Sequence, residues 1–207
     1  MALPWALAVL SLLPLLSAQS PECANFTAKP ITNVTLDFLS GKWYYVASIF
    51  RKPEFNQSAR MIHSAFFYFI PNKTEDTIHI QEYQTIGDRC VFNDSYLTVQ
   101  RKNGTLARNE NGIEFFAHFL HSKNPGTFLF SYYPDDEQNI GITIFSEKPQ
   151  LSQEQVDEFH EAIACMGMHK SEIIHTDEKD LCGPLEKQHE EERKKEQEGA
   201  KEGGALG

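Results

Sequence analysis

Glu82 is the residue whose position most strongly suggests a binding role, because its carboxylate falls within a segment that alternates with apolar residues. Residues 77–85 alternate so that Glu82 shares one strand face with Ile80 and Gln84. A carboxylate on an inward face is costly unless it is paired or solvated. Glu82 is therefore predicted to accept a cationic group of a ligand, or else to belong to a permanent ion pair or a solvated rim.

The cysteines indicate disulfides rather than catalysis or metal binding. The chain has four, Cys23, Cys90, Cys165 and Cys182. In an exported chain this even count implies two disulfides, for which three pairings exist. No two cysteines have the Cys-x-x-Cys spacing of zinc or redox sites. Because hydrolase, phosphate-loop and zinc-protease motifs are also absent, the sequence predicts neither an enzyme nor a cofactor.

The histidines show no spacing typical of metal ligands. His118 and His121 are close in sequence, but they lie on a predicted strand. Their odd separation sends them to opposite faces of that strand. The sequence therefore predicts no metal site.

Six Asn-x-Ser/Thr sequons crowd the first half of the chain. Their asparagines are Asn25, Asn33, Asn56, Asn72, Asn93 and Asn103. Such a sequon accepts an N-linked glycan when the chain is exported. Glycans are bulky and solubilising, so we expect a heavily glycosylated surface.

The N-terminal residues indicate export. Residues 1–18 form an uncharged, mostly apolar run that ends in small residues, as in a secretory signal peptide. No second long apolar run follows, so we expect a soluble extracellular protein without stable membrane insertion. The net charge of -10 disfavours nucleic acid as a partner and suits cationic ligands.

Short apolar segments separated by turn residues make up most of the remaining chain. Eight strands are predicted, around Trp43 and over 61–70, 77–85, 90–100, 105–108, 113–121, 126–133 and 140–146. Asn103-Gly104 and Asn111-Gly112 have the composition of type I′ hairpin turns. Short links between neighbours favour an all-β fold, an eight-stranded up-and-down antiparallel barrel able to hold one small ligand.

A helix and a charged tail follow the predicted barrel. Ser152 and Gln155 form a capping box, and Val156, Phe159 and Ile163 begin an apolar stripe that should pack outside the barrel. A short strand is expected within 171–176. The predicted domain spans 19–183, and the tail at 184–207 is expected to be partly helical and then disordered from about residue 198.

With these features, the chain resembles the lipocalin family. The residues that carry the resemblance are Gly41-Lys42-Trp43 at the start of the first strand, Ala65-Phe66-Phe67-Tyr68-Phe69, Val99-Gln100-Arg101, Phe116-Ala117-His118 and Pro184-Leu185-Glu186-Lys187. The resemblance implies disulfides between Cys23 and Cys165 and between Cys90 and Cys182. It also implies a pocket inside the barrel, formed by Tyr45, Phe67, Phe69, Ile80, Glu82, Gln84, Arg108, Phe130, Tyr132 and Phe145.

The resemblance further implies a monomeric carrier of blood plasma. Its ligands would be lipophilic small molecules, basic or neutral drugs and steroid-like compounds, and it would have an acute-phase role in damping immune responses. Two alternatives remain open. The protein could mainly present glycans to lectin-type receptors, with incidental ligand binding, or it could be a lipocalin-fold enzyme that uses a free cysteine.

Overall fold

The chain folds into one closed antiparallel barrel. The computed structural model describes residues 23–110, 113–132, 140–177 and 179–204. The strands are β1 Gly41–Phe50, β2 Ile62–Asn72, β3 Thr77–Ile86, β4 Arg89–Gln100, β5 Thr105–Glu110, β6 Ile113–His121, β7 Thr127–Tyr132, β8 Gly141–Ser146 and β9 Ile174–His175. Sequential neighbours pair from β2 to β8, and β1 pairs with both β8 and β2, which closes the barrel. The predicted eight-stranded barrel is confirmed, and β9 adds the expected short strand beside β1.

Two sequence predictions lie outside the described residues. These are the signal peptide at 1–18 and the turn at Asn111-Gly112.

One end of the barrel is filled by side chains from a short helix that precedes β1. Helix α1 spans Asn33–Leu39, and its residues Leu36 and Leu39 are fully buried. The Trp43 indole nitrogen donates a hydrogen bond to the carbonyl oxygen of Leu39 at 2.9 Å. Trp43 also packs edge-on against Phe128, with ring centroids 4.8 Å apart. This end of the interior is therefore an aromatic and aliphatic plug.

The link between β4 and β5 differs from the predicted type I′ turn. Arg101–Asn103 form a single turn of 3-10 helix, and Gly104 then takes a left-handed conformation with φ of 66°. A Cβ on Gly104 would lie 2.3 Å from the carbonyl oxygen of Lys29. The close approach of the N-terminal segment therefore explains why glycine stands here.

The helix predicted after the barrel is present and lies on its outer face. Helix α3 spans Gln153–Cys165 and begins with the predicted capping box. Its residues Phe159 and Ile163 are buried against outward-facing Ile142 and Ile144 of β8. The apolar stripe is therefore part of the core between helix and sheet.

Two further helices differ from the sequence predictions. Helix α2, Pro53–Ala59, occupies the link between β1 and β2. Helix α4 spans Gly183–Gly204, so the backbone is helical where the sequence predicts disorder from residue 198. The start of α4 packs over the aromatic outer surface of β2 to β4, where Leu185 lies against the cluster of Phe66 and Tyr83. This contact uses few apolar side chains of the helix, which is why the tail lacks an amphipathic pattern.

Two disulfides tie the outer elements to the barrel. Cys23 bonds Cys165, and Cys90 bonds Cys182, which is the pairing that the lipocalin resemblance implies. The first joins the N-terminal segment to α3, and the second joins the start of β4 to the residue before α4. Among the described helices, none is both long and apolar enough to cross a bilayer.

Candidate ligand-binding site

The strand register places Glu82 in the middle of a row of side chains across three strands. Glu82 on β3 lies opposite Phe67 on β2 and opposite Asn93 on β4. Directly opposed residues of antiparallel strands lie on the same face of a sheet. Since Phe67 packs against the interior cluster that contains Trp43, this row faces the inside of the barrel.

The Glu82 carboxylate is buried and bonded at both oxygens. Its side chain is 10% exposed, and Oε1 accepts a hydrogen bond from Arg108 Nη1 at 2.8 Å. Oε2 accepts one from Asn93 Nδ2 at 3.0 Å. One cation and one neutral amide therefore compensate the burial of this carboxylate, with the strength typical of charge-assisted hydrogen bonds.

This network lies beside a gap in the hydrogen-bond ladder of the barrel. The pairing between β4 and β5 covers Thr98–Gln100 and Thr105–Ala107. Asn93 and Arg108 both lie beyond the end of that short ladder, on different strands. Glu82 therefore bridges β4 and β5 through side chains where their backbones are not paired.

Two phenols, of buried Tyr45 and partly buried Tyr132, add neutral hydrogen-bonding groups to the interior. The hydroxyls of Tyr45 and Ser48 are hydrogen-bonded to each other. Burial raises the pKa of Tyr45 to about 12, and burial likewise raises the pKa of Tyr132. Both phenols are therefore neutral at physiological pH, since desolvation disfavours their charged forms.

Aromatic side chains fill the space beside the Glu82 network. The ring centroids of Phe67 and Phe145 are 5.4 Å apart, and those of Phe69 and Phe130 are 6.2 Å apart. Phe128 stacks on Phe145 at 4.9 Å. The described interior is thus a continuous set of ring contacts next to the Glu82–Arg108 ion pair, which offers an apolar surface beside a charged recognition group.

The structure brings the predicted pocket residues together. Those within or packed against the interior cluster are Tyr45, Phe67, Phe69, Ile80, Phe130, Tyr132 and Phe145. Glu82 and Arg108 form the ion pair beside them. Gln84 lies opposite Ala65, a member of the cluster, and so shares the interior face.

Sequence reasoning missed three interior residues, Asn93, Ser48 and Phe128. Alternation within β4 places Asn93 on the face of buried Leu97 and Val99, a pattern that could have revealed it. Its sequon instead suggested a surface position. A bulge between Tyr45 and Ala47 shifts the register of β1, so simple alternation misplaces Ser48. Phe128 alternates with Phe130 in β7 and was visible in the sequence.

Two clefts lie away from the Glu82 network. One of about 720 Å³ lies between α2 and the loop after α3 and is lined by Phe50, Arg51, Asn56, Arg60 and His169, among others. The other, about 590 Å³, is lined by residues of β1, β2, α3 and the C-terminal segment. Of the predicted pocket residues, only Tyr45 lines either of these two clefts.

The described residues contain neither a cluster of metal ligands nor a free thiol. Among them, no group of three or more histidine, cysteine, aspartate or glutamate side chains is placed to hold a metal ion. All four cysteines are in disulfides. The free-cysteine enzyme alternative therefore lacks the thiol that it requires.

The sequons divide into two groups by exposure. The side chains of Asn25, Asn33, Asn72 and Asn103 are exposed, whereas Asn56 and Asn93 are half-buried. In the second group, the side-chain nitrogen to which a glycan would be attached already donates a hydrogen bond. Asn56 Nδ2 donates to the carbonyl oxygen of Phe50 at 3.3 Å, and Asn93 Nδ2 donates to Glu82.

Comparison with known proteins agrees with the fold. The model of the lipocalin / cytosolic fatty-acid binding protein family matches residues 40–180. A solved structure reported under the words "The Siderocalin Ex-FABP functions through dual ligand specificities" aligns with a TM-score of 0.57 at 12% identity, over 70% of this chain and 97% of that chain. At that identity the likeness shows the fold alone.

Full-length relatives are more informative. Alpha-1-acid glycoprotein of Bos taurus is 56% identical over 96% of this chain and 99% of its own length. That of Oryctolagus cuniculus is 53% identical over 95% and 98%, and alpha-1-acid glycoprotein 1 of Mus musculus is 43% identical over 99% and 100%. The chain therefore belongs to the lipocalin family and, within it, to the alpha-1-acid glycoproteins.

Proposed function

We propose that this chain is a secreted plasma carrier that binds lipophilic, often basic, small molecules inside its barrel. The observation that carries the proposal is the Glu82–Arg108 ion pair, which lies on an aromatic interior face. Ligand pockets are mostly apolar and contain a few placed polar groups that orient the ligand. The ten pocket residues predicted from the sequence are the proposed lining.

Binding would combine transfer of the apolar part of the ligand into the barrel with recognition of its positive charge by Glu82. The apolar body of a ligand would replace ring–ring contacts such as that between Phe67 and Phe145. A protonated amine would then approach Glu82, whose carboxylate is balanced by Arg108 in the unliganded chain. A charge-assisted hydrogen bond to a buried carboxylate is stronger than a neutral one, so the site should prefer basic ligands.

Secretion and a role in the acute-phase immune response are part of the same proposal. Two disulfides are typical of proteins of oxidising compartments, and residues 1–18 have the pattern of a signal peptide. The names of the relatives describe them as glycoproteins, and this chain has six sequons. We propose a glycosylated monomer in plasma, without a nucleic-acid or membrane partner and without enzymatic activity.

The proposal is tested by titrating the secreted protein with two lipophilic ligands of equal size, one a cationic amine and the other neutral. Trp43, the tryptophan that remains after residues 1–18, provides the fluorescence signal, and calorimetry gives the stoichiometry. We expect saturable one-to-one binding of both ligands, with the cation bound more tightly. If neither ligand saturates the protein, the carrier proposal is wrong.

A second candidate function is presentation of glycans to lectin-type receptors, with incidental ligand binding. It is favoured by the exposure of Asn25, Asn33, Asn72 and Asn103, which places four sequons on the surface. Glycans at these positions would be accessible to a receptor. Receptor binding that depends on the glycans, in a protein that fails the titration above, would favour this function over transport.

A further inference from the structure

In one sequon, the nitrogen to which a glycan would be attached lies inside the proposed binding site. N-glycosylation modifies the side-chain nitrogen of asparagine. In Asn93 this nitrogen, Nδ2, donates the 3.0 Å hydrogen bond to Oε2 of Glu82. The same atom would thus serve as a carbohydrate attachment point and as a donor to the carboxylate that we propose to recognise ligand cations.

We propose that N-glycosylation of Asn93 sets the preference of the barrel for cationic ligands. This inference rests on the proposed carrier function, because it concerns the same carboxylate. Unmodified Asn93 bonds one oxygen of Glu82 and lowers its capacity to accept a ligand amine. Glycosylated Asn93 leaves that oxygen available, so the glycosylated protein prefers cations more strongly.

The covalent step explains why the two roles compete. The donor is an oligosaccharide linked through its anomeric carbon to a lipid diphosphate. The bond from that carbon to the diphosphate oxygen breaks, a bond from the carbon to Nδ2 forms, and Nδ2 loses one proton as the diphosphate leaves. Nδ2 then has one hydrogen instead of two, and a bulky group in place of the other.

The structure also offers a path for the sugar. Asn93 lies beyond the end of the short ladder between β4 and β5, so the two backbones are not paired at its level. Its side chain is half-buried, and the barrel interior is occupied by packed aromatic rings. A glycan therefore has to leave through the gap between β4 and β5, which turns the amide away from Glu82.

The hydroxyl of the sequon serine allows glycosylation to be removed while Asn93 itself is kept. Ser95 completes the sequon, and its buried Oγ has no hydrogen-bond partner among the described residues. The Ser95→Ala variant abolishes glycosylation at Asn93 yet keeps the asparagine amide in place. Thr74→Ala is the matched control, because it abolishes the exposed sequon of Asn72, which lies at the turn between β2 and β3.

The experiment compares dissociation constants for the cationic and neutral ligands in the wild type, Ser95→Ala and Thr74→Ala, all expressed with glycosylation. Peptide mass spectrometry measures glycan occupancy at Asn93. We expect Ser95→Ala to reduce the ratio of cation to neutral affinity by about tenfold, the size of one hydrogen bond to a charged group. Thr74→Ala should leave that ratio unchanged.

The alternative outcomes distinguish failure of the inference from failure of the carrier function. Occupied Asn93 in the wild type with an unchanged ratio in Ser95→Ala overturns the inference and leaves the carrier function standing. An unoccupied Asn93 in the wild type also overturns it. A loss of saturable binding of both ligands in every protein overturns the carrier function itself, and the inference with it. If Ser95→Ala is not secreted, Asn93→Gln removes the sequon and retains an amide.

Discussion

Among the residues that the structure describes, two glutamates are buried, and their surroundings differ in kind. Glu158 on α3 accepts hydrogen bonds from Ser122 Oγ at 2.6 Å, from the Lys123 backbone nitrogen at 2.7 Å and from Asn124 Nδ2 at 2.6 Å. All three donors come from the single loop between β6 and β7. Glu82 instead accepts from two strands that are not paired at that level.

The difference separates a structural carboxylate from one suited to binding. Glu158 lies outside the barrel and fastens one loop to one helix with neutral donors, so its carboxylate has little left to offer a ligand. Glu82 lies among interior aromatic rings and has a cationic partner on a neighbouring strand. A ligand cation can replace or join Arg108 without dismantling a loop. Burial alone therefore does not identify a binding carboxylate, whereas the origin of its donors does.

The largest expected effect is on stability, in Glu158→Gln. The amide nitrogen of the new glutamine cannot accept a hydrogen bond from the donors in the β6–β7 loop. At least one hydrogen bond to a charged acceptor is therefore lost. We expect the free energy of unfolding to fall by about 2–3 kcal/mol. Urea denaturation followed by circular dichroism measures the loss. The ratio of cation to neutral affinity should stay at the wild-type value, and a change in that ratio would erase the contrast between the two glutamates.

The next largest effect is on ligand preference, in Glu82→Gln. The glutamine is nearly isosteric but carries no charge, so the attraction for a protonated amine is lost. We expect the affinity for the cationic ligand to fall about tenfold, with little change for the neutral ligand. Calorimetric titration of both ligands gives the two constants. An unchanged affinity for the cation would show that the Glu82–Arg108 pair is only structural.

A smaller effect of opposite sign is expected from Arg108→Gln. This substitution removes the cation that balances Glu82 and leaves a neutral donor of shorter reach. The interior then has an uncompensated negative charge, so affinity for the cationic ligand should rise by about threefold, as expected for a modest gain in electrostatic attraction. Competition between the two ligands measures the gain, and a fall in cation affinity would contradict the proposed role of Arg108.

The last effect arises only at alkaline pH and concerns the phenol of Tyr45. Burial raises its pKa from 10.0 to about 12 in the folded chain. A raised pKa gives stability that is fully present below about pH 10 and is lost as the pH rises toward about 12. Tyr45→Phe should therefore flatten the decline in stability over this alkaline range. Urea midpoints of both proteins across the range provide the measurement, and identical slopes would contradict the assignment.

The barrel was predictable because its signals are local. Alternation and the capping box at Ser152 each act over a few residues, and each predicted its element. Helix α4 could not be recognised as a packed element. It contacts the barrel through Glu186, which accepts from Lys42 and Tyr68, and through His189, which lies 2.8 Å from the Tyr83 hydroxyl. Contacts of this kind, made by polar side chains, produce no periodic pattern of apolar residues in the sequence.

The candidate site was only partly predictable, for a similar reason. The lipocalin resemblance supplied the pocket residues, but not the atoms that they contact. The bond between Asn93 and Glu82 depends on the register of β3 and β4, and the gap beside it depends on where the β4–β5 ladder ends. Both are properties of the closed barrel, which the spacing of residues along a strand does not specify.

The most direct test of the proposed binding carboxylate is the ratio of cation to neutral dissociation constants, measured by calorimetry in wild type, Glu82→Gln and Glu158→Gln. If Glu82 is the recognition group, the ratio shifts by about tenfold in Glu82→Gln alone. Equal ratios in all three proteins would show that the interior carboxylate, like Glu158, serves only the fold.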